Sequence, residues 1–348
     1  MTAPPTHSAL QSAIARLAHH QPLSAEDATQ AFGVIMRGEA TAVQIAAMLT
    51  ALRVKGETSE IVAGVVRALR EVMVHLPASK ASELVDTCGT GGGAVQTFNI
   101  STAAALVAAG AGVRIAKHGN RSFTSRCGSA DVLEALGVSI EAPVEVMEAS
   151  LENAGIVFMY APLMHPAMRH VGPIRRELAI PTVMNVVGPL ANPAGALRQV
   201  VGVADAYRVP ILAGALLELD SIHAMVVHGE PGLDEISPLG PTRVVEIRDG
   251  ASTEWTIDPG AYGLSSSDAA DLAGGDPADN ARIIDELLRG GGSAGSKAAV
   301  ILNAAAAIYV SGRVNDYGEG VSAARAALAQ KLGLAALEKL RAAYSVSD

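Results

Sequence analysis

The sequence predicts an α/β protein, with a small N-terminal helical domain and a larger α/β domain whose mostly parallel central sheet is flanked by helices. Two patterns carry this prediction. Apolar residues recur at helical spacing through residues 1–75, the signature of amphipathic helices. From residue 83 onward, short apolar runs alternate with helical stretches, which is typical of parallel strands joined by covering helices.

The N-terminal region reads as four helices in succession. The first places Leu10, Ile14 and Leu17 on one face, and the second opens at Ser24 with acidic residues in its first turn. The third follows a possible cap at Thr41. Apolar spacing defines the cores of the third and fourth helices, at Ile45, Met48, Leu49 and Leu52 and then at Val62, Val65, Val66, Leu69 and Met73. A small helical bundle follows from this spacing.

The remaining chain alternates strands and helices. ELVDTCGTGGG is a short buried strand ending in a glycine turn, NISTAAALVAAGAG is a helix, and VRIAKHG is the next strand. SADVLEALGV is again helical, and the segments GIVFMYAP, QVVGVAD and HAMVVHG are further strands. A glycine-rich loop, GGGSAGS at 290–296, precedes the helix KAAVILNAAAAIYVSG.

Charge and composition exclude some classes of protein. The chain of 348 residues has a net charge of -9 and only 3% aromatic residues, so it lacks the basic, stacking surface of a nucleic-acid binder. Two cysteines do not make a disulfide framework, which indicates free thiols in a reducing compartment. No secretory signal or bilayer-spanning apolar run is present, so we expect a cytoplasmic protein.

The stretch CGTGGGAVQTFNIST, residues 88–102, suggests a phosphate site. Its glycines keep side chains away from exposed backbone N–H groups, and the following helix adds partial positive charge at its N-terminus. Asn99, Ser101 and Thr102 stand where they can cap that helix or bind phosphate oxygens. The pattern fits neither a Rossmann nor a Walker motif, and taken alone it is equally compatible with a tight turn and an ordinary cap.

A second polar cluster favours the phosphate interpretation. KHGNRS, which runs from Lys117 to Ser122, follows a strand at the sheet edge where open α/β proteins bind ligands. Ser129 then begins another helix, a second possible anion site. Two such sites in one domain indicate a ligand that carries two separate phosphate groups.

Two more segments carry charged residues of interest. Asp234 and Glu235 follow the strand HAMVVHG, and beside a bound pyrophosphate such a pair would hold Mg²⁺; otherwise they are solvated acids. The segment 161–178 carries His165 and Arg175 among other basic residues, a pattern that an amphipathic surface helix also produces. Zinc-binding patterns and a hydrolase nucleophile elbow are both absent.

These motifs together resemble the anthranilate phosphoribosyltransferase family. GTGG…TFNIST, KHGNRS followed by GSADVLEALGV, HPAMRHVGPIRREL, NVVGPLANP and GLDEIS occur in the family's order, and the resemblance runs from QIAAMLTALRVKGET to LNAAAAIYVSG. It implies a helical domain at 1–75, joined by a helical segment around 165–190, and an α/β domain at 80–164 and 195–348. A homodimer is also implied, without nucleic-acid or membrane partners.

The resemblance implies a reaction and a set of site residues. Anthranilate would displace pyrophosphate from phosphoribosyl pyrophosphate (PRPP), with Mg²⁺, in the second step of tryptophan biosynthesis from chorismate. Lys117 and Arg175 would be catalytic. PRPP would contact Gly89, Thr90, Gly91, Gly92, Thr97, Asn99, Ser101, Thr102, Lys117 and Ser129; anthranilate would contact Gly89, Asn120, His165 and Arg175; the metal would contact Ser101, Asp234 and Glu235.

Departures from the family pattern, and two alternative functions, accompany this interpretation. Gly93 stands where the family usually has aspartate, which removes a side-chain contact to PRPP, and Phe123 and Cys127 replace small residues.

A pyrimidine nucleoside phosphorylase-like enzyme would also bind phosphate and ribose, but it would not carry KHGNRS before GSADVLEALG. A non-catalytic nucleic-acid-binding paralogue predicts a basic groove and loss of the Asp234–Glu235 pair, and this acidic chain has neither feature.

Overall fold

The computed structural model describes residues 8–122, 126–266 and 268–345. Fifteen α-helices lie in these ranges: α1 Ala9–Ala18, α2 Ala25–Met36, α3 Ala42–Lys55, α4 Ser59–Arg70, α5 Ile100–Gly110, α6 Ser129–Ala135, α7 Val144–Ala154, α8 Ala161–Met164, α9 Gly172–Leu178, α10 Met184–Val187, α11 Val209–Glu218, α12 Pro277–Leu288, α13 Ala294–Val310, α14 Tyr317–Ala329 and α15 Leu332–Tyr344.

The first four helices begin at polar caps, of which Ser24 and Thr41 were predicted and Ser8 and Thr58 were not. Ser24 and Thr41 accept hydrogen bonds from the backbone N–H three residues on, and each donates its own backbone N–H to the side chain of that residue. These reciprocal bonds satisfy N–H groups that a helix start otherwise leaves open. Gly56 ends α3 at a φ of 92°, which a residue without a Cβ adopts at little cost. Four helices therefore lie where the sequence predicts them, except that α4 ends at Arg70 and does not reach Met73.

Seven strands form one sheet in the order β3-β2-β1-β4-β5-β6-β7. Their bounds are β1 Val85–Gly89, β2 Ile115–Gly119, β3 Ile156–Tyr160, β4 Arg198–Gly202, β5 His223–Gly229, β6 Thr242–Arg248 and β7 Ala251–Ile257. The pairings among β1 to β5 are parallel. The expectation of a mostly parallel sheet is thus confirmed, and the carboxyl ends of five strands lie along one edge.

The antiparallel hairpin of β6 and β7 was not among the strands predicted from sequence. Asp249 and Gly250 join the two strands with φ angles of 51° and 75°, and both strands pair over seven residues. An Asp-Gly pair between alternating residues is a known hairpin signal, and it is present in RVVEIRDGASTEW. The hairpin extends the sheet away from the parallel edge.

Two apolar clusters lie on either side of this sheet. The larger cluster contains buried residues of α5, α13 and α15 together with residues from each of the five parallel strands. The other joins α1 to α4 and α11 to sheet residues such as Val201, Val226 and Ile247. Residues 167–191 also contribute to this second cluster, so the segment that returns from β3 packs with the N-terminal helices. The division into domains at the stated boundaries stays a prediction.

Two further sequence expectations meet the structure at its helices. Helix α13 begins at Ala294 with Ser293 as its cap, so the second half of the predicted 290–296 loop is helical. The loop prediction was wrong there because Ser293 is a good helix cap and only the first glycines lie outside the helix. Within the described ranges, no helix is long and apolar enough to cross a bilayer.

Candidate active site

Glycine ends four of the five parallel strands, at Gly89, Gly119, Gly202 and Gly229. A Cβ atom at Gly202 would overlap the carbonyl of Asp234, and one at Gly89 would lie 2.5 Å from an Asp234 carboxylate oxygen. Close approach of the 229–242 loop to the strand ends therefore requires residues without side chains. The strand-end glycines build the floor of the site.

The acidic pair lies directly against the glycine stretch. Asp234 Oδ2 accepts a hydrogen bond of 2.8 Å from the Gly91 N–H, and Glu235 Oε1 accepts one of 3.1 Å from the Ser101 N–H. Gly91 and Gly92 both have positive φ, at 70° and 79°. The structure thus brings together the sequence-predicted phosphate loop, the first turn of α5 and the predicted metal ligands.

The charges of this pair suit a cation. Burial and the neighbouring Asp234 raise the pKa of Glu235 to about 8, while Lys117 and the Ser101 N–H oppose the rise. Burial also raises the pKa of Asp234. Adjacent acidic groups whose negative charge is only partly offset by Lys117 suit Mg²⁺. The remaining ligands of Mg²⁺ are usually waters and phosphate oxygens. In the described part of the chain, no cluster of three or more His, Cys, Asp or Glu side chains could hold a metal unaided.

Lys117 is a strand residue rather than part of an exposed loop. It is 3% exposed in β2, and its Nζ donates to the Thr87 carbonyl at 2.6 Å and to the Ser101 hydroxyl at 3.4 Å. Burial lowers its pKa, and the buried carboxyl of Asp86 is the main opposing influence, followed by Cys88 and Glu235. The cation is therefore held beneath the start of α5, beside the acidic pair.

Asn99 does not cap α5 with its side chain, contrary to one reading of the sequence. Its amide Nδ2 donates to the Cys127 carbonyl at 3.2 Å, and its Oδ1 accepts from Asn280 Nδ2 at 2.9 Å. The side chain does not cap the helix because the segment before α6 and the first turn of α12 supply partners for both of its polar ends.

The second anion loop folds around an aspartate. Asp131 Oδ2 accepts from the backbone N–H groups of Ser122 and Gly128, at 3.1 and 2.8 Å. Ser129 Oγ lies 3.4 Å from the carbonyl of Asn120 and close to Gly119, which ends β2. The loop therefore presents Ser129 at the same sheet edge as Gly89. The departure at Phe123 lies outside the described residues.

His165 and His118 form a buried ring pair. Their ring centroids are 4.8 Å apart. Burial lowers the pKa of His165 to about 4 and that of His118 to about 3. Neither ring nitrogen of His165 makes a hydrogen bond of ordinary geometry in the described chain, although the Ala191 backbone lies close enough to raise its pKa slightly. Both imidazole rings are therefore neutral near pH 7 and lie buried against each other.

Arg175 lies on α9, in the segment that packs with the N-terminal helices. Its side chain is half-buried, burial lowers its pKa, and it makes no ion pair with any described residue. A guanidinium in this state is available for a carboxylate ligand. No contact links it directly to the acidic pair within the described ranges.

The other predicted residues differ in their surroundings. Thr90 Oγ1 accepts a hydrogen bond from the Ala204 N–H. Thr97, beside the glycine stretch, forms an isolated antiparallel β-bridge with Ala273. Thr102 is 1% exposed, with a hydroxyl that lacks a hydrogen-bond partner in the described chain. Its side chain points into the core, so it does not reach the open side of the site. A Cβ at Gly93 would lie 3.4 Å from Asp234 Oδ1.

Sequence reasoning missed three polar residues beneath the site. Asp86 is fully buried, accepts from Asn192 Nδ2 at 2.8 Å, and accepts from the His118 N–H at 3.2 Å. Burial raises its pKa to about 6, and Lys117 opposes the rise. The available signal was an ionisable residue inside an otherwise apolar strand, which demands a partner. His118 and Asn192 stood in recognised motifs but had been given no role.

Comparison with protein-family models gives two matches. A model described as the glycosyl transferase family, helical bundle domain, matches residues 11–73. A second, described as the glycosyl transferase family, a/b domain, matches residues 81–335 and so covers more than half of the chain.

Individual relatives agree with these models. An anthranilate phosphoribosyltransferase of Anaeromyxobacter dehalogenans is 50% identical over 95% of this chain and 97% of its own. The crystal structure of the enzyme from Thermus thermophilus has a TM-score of 0.90 at 41% identity, covering 95% of this chain and 99% of that one. The Saccharomyces cerevisiae enzyme in complex with PRPP and Mg has a TM-score of 0.88 at 28% identity, covering 98% and 99%.

Proposed function

This chain belongs to the anthranilate phosphoribosyltransferase family, and we propose from that premise how its own residues perform the family's reaction. The protein is a glycosyltransferase that transfers the 5-phosphoribosyl group of PRPP to the amine of anthranilate. Its products are N-(5'-phosphoribosyl)anthranilate and pyrophosphate. The step belongs to tryptophan biosynthesis.

One observation carries the assignment of residues. The Gly91 and Ser101 N–H groups, the Asp234–Glu235 pair and the Lys117 ammonium converge at one sheet edge. Backbone donors at a glycine turn and a helix start bind phosphate oxygens. Two carboxylates and a buried cation beside them match the charge pattern of a metal-bound pyrophosphate.

We assign the PRPP contacts to the glycine stretch, the first turn of α5 and the Ser129 loop. Gly89, Thr90, Gly91 and Gly92 form the cradle, with Thr97, Asn99, Ser101, Thr102, Lys117 and Ser129 as the proposed flanking contacts. Among these, Thr102 has the weakest support because its side chain is buried in the core. Gly93 contributes only backbone.

Mg²⁺ would be held by Asp234 and Glu235 with Ser101 assisting, and when bound it neutralises charge on the pyrophosphate. Each carboxylate uses one oxygen for a backbone N–H, which leaves Asp234 Oδ1 and Glu235 Oε2 to face the ligand. A relative crystallised with PRPP and Mg supports this assignment.

The reaction is a displacement at C1 of the ribose. The anthranilate nitrogen forms the new bond to C1 as the C1–O bond to pyrophosphate breaks and the leaving group takes that electron pair. The nitrogen then gives up one proton to solvent or to pyrophosphate. Lys117 stabilises the departing negative charge, and the site holds the two reactants in line. An aromatic amine is neutral near pH 7, so a strong base is not required.

We assign the acceptor site to the segment 161–178, which returns from β3 to the N-terminal helices. Arg175, half-buried and without an ion-pair partner in the described chain, would bind the anthranilate carboxylate. His165 and Asn120 would line the ring's path, together with Gly89. The neutral state of His165 favours contact with an aromatic ring over contact with an anion.

The wider setting is also a proposal. We expect a cytoplasmic homodimer with a helical domain at 1–75 and an α/β domain at 80–164 and 195–348, joined through 165–190. Its partners are the two small substrates.

A fluorescence assay tests the function. Purified protein is mixed with anthranilate, PRPP and Mg²⁺, and loss of anthranilate fluorescence is followed together with pyrophosphate release. We expect stoichiometric loss and release that both cease when Mg²⁺ is chelated. Absence of turnover in protein with a native far-UV CD spectrum would overturn the proposal.

A further inference from the structure

Three hydrogen bonds, here called the relay, run in one direction through two asparagine side chains. The Gly275 N–H donates to Asn280 Oδ1 at 2.7 Å, Asn280 Nδ2 donates to Asn99 Oδ1 at 2.9 Å, and Asn99 Nδ2 donates to the Cys127 carbonyl at 3.2 Å. A backbone N–H only donates and a carbonyl only accepts. Both amide orientations are therefore determined by the ends of the chain of bonds.

The last of these bonds, from Asn99 to Cys127, joins the two anion loops, and Asn280 fixes the orientation of the Asn99 amide that makes it. Asn99 sits between the glycine stretch and the first turn of α5, whereas the Cys127 carbonyl immediately precedes the Gly128–Ser129 turn. Asn280, in the first turns of α12, is 1% exposed. It is linked to the two loops through Asn99, and it has almost no surface of its own for a ligand.

Backbone contacts strengthen the same junction. The Phe98 N–H donates to the Leu272 carbonyl at 2.9 Å, and Thr97 forms a bridge with Ala273. A Cβ at Gly274 would lie 2.6 Å from the Thr97 carbonyl. The segment 272–280 is thus packed against the start of α5, and its Asn280 is connected to the second loop through Asn99.

We propose that Asn280 is a positioning residue that fixes the spacing between the two phosphate-binding loops, so that both ends of PRPP bind at once. The inference rests on the proposed function. PRPP carries phosphate at two ends of one ribose, and once one end is bound, the other binds as an intramolecular partner. That advantage depends on loops held at the correct separation, and it disappears when their spacing varies.

Two variants separate the hydrogen bond from the charge. Asn280→Asp keeps the size of the side chain but presents an acceptor oxygen to Asn99 Oδ1, which breaks the relay. Asn280→Ser carries no charge and is too short to reach Asn99. The matched control is Asn153→Asp, on the exposed face of α7. Far-UV CD and thermal unfolding check that each protein is folded.

Affinities for three ligands provide the readout, measured by calorimetry with Mg²⁺ present: PRPP, pyrophosphate and ribose 5-phosphate. Each of the last two carries one end of PRPP and needs no fixed spacing. In both Asn280 variants we expect PRPP affinity to fall by roughly tenfold or more, whereas affinity for each fragment changes by less than about threefold. The Asn153 control should match the wild type for all three ligands.

The possible failures are distinguishable. Wild-type protein that neither binds PRPP nor turns over overturns the proposed function and this inference with it. If the wild type binds PRPP and a folded Asn280→Ser protein binds it equally well, only the inference is wrong. An equal loss for PRPP and both fragments also contradicts it, since that result indicates general disruption of the site.

Discussion

The carboxylates of the acidic pair both accept backbone hydrogen bonds and present oxygens for a cation. Glu235 and Asp234 accept hydrogen bonds from the Ser101 and Gly91 N–H groups, which belong to the two segments that we propose to bind phosphate. Lys117, buried nearby, bonds to Thr87 and Ser101 instead of forming a direct ion pair in the described chain. The carboxylates are therefore held against the glycine stretch and the start of α5, and each keeps one oxygen for a cation.

Replacing the Glu235 carboxylate tests its metal role. In Glu235→Gln an amide oxygen still accepts from the Ser101 N–H, but one of two metal-binding charges is lost. We expect Mg²⁺ affinity to fall by about tenfold or more and kcat/KM by on the order of 100-fold. The unfolding free energy should stay unchanged or rise, because repulsion with Asp234 is relieved.

Steady-state rates across a Mg²⁺ titration, with thermal unfolding alongside, measure both effects. Glu230→Gln is the matched control, since Glu230 is exposed in the same loop. Wild-type Mg²⁺ dependence in Glu235→Gln would exclude this carboxylate as a ligand.

The buried histidine pair predicts acid sensitivity. The pKa values of His118 and His165 are lowered by burial to about 3 and about 4, below the unfolded value near 6.5. Above pH 6.5 both residues are neutral in either state, so their contribution to stability is fully present there. As pH falls toward 4, only the unfolded chain takes up these protons, and stability declines by about 1.4 kcal/mol per pH unit for each histidine.

Denaturant unfolding at several pH values between 7 and 4 measures this slope. His165→Gln should make the slope shallower by about one proton, or about 1.4 kcal/mol per pH unit. The exposed His75 supplies the control variant His75→Gln, which should keep the wild-type slope. Identical slopes in wild type and His165→Gln would contradict neutral burial of His165.

At the scale of elements, strand ends and helix starts assemble the site. β1, β2, β4 and β5 each end in glycine, and the 229–242 loop and the start of α6 approach these ends. Helix α13 contributes Asn303, whose amide donates to the Ile236 carbonyl and accepts from the Ile236 N–H, each at 2.9 Å. Helix α13 therefore holds the residue after the acidic pair, and both belong to the larger apolar cluster.

A methyl group at Gly202 should disrupt this assembly. In Gly202→Ala the added carbon overlaps the Asp234 backbone. β4 is paired on both sides, and the loop is held by hydrogen bonds from Gly91 and Ser101. We expect a loss of about 1–3 kcal/mol of unfolding free energy, accompanied by loss of Mg²⁺-dependent turnover.

Gly172→Ala is the control, because nothing lies within 4 Å of a Cβ there. Chemical denaturation should place it within about 0.5 kcal/mol of the wild type. Equal stability of Gly202→Ala and wild type would argue against the close loop approach.

The whole molecule is built on one sheet with an apolar cluster on each face. Helix α11 and sheet residues such as Val226 and Ile247 share a cluster with the N-terminal helices. Those helices therefore cover a face of the sheet that would otherwise expose apolar surface. Their stability depends on the α/β region beneath them.

Unfolding of the whole chain should accordingly be a single cooperative transition. Trp255 is the only tryptophan, it lies in β7, and its Nε1 donates to Glu246 at 2.8 Å. Its fluorescence therefore reports on the sheet, and CD at 222 nm reports on the helices. We expect the two midpoints in urea to coincide. Earlier loss of the CD signal would indicate that the N-terminal helices unfold independently.

The sequence by itself determined the first four helices, the helix starts at Ser24 and Thr41, the five parallel strands and the motifs that mark the site, because these depend on local spacing and local backbone conformation. The β6–β7 hairpin also has a local sequence signal, the Asp249-Gly250 turn. Tertiary structure alone decided which polar groups meet. Asp86 with Asn192, Asn99 with Asn280 and Glu235 with Ser101 are each separated by more than 100 residues, and only the packing of strands and helices brings such distant groups within hydrogen-bond range.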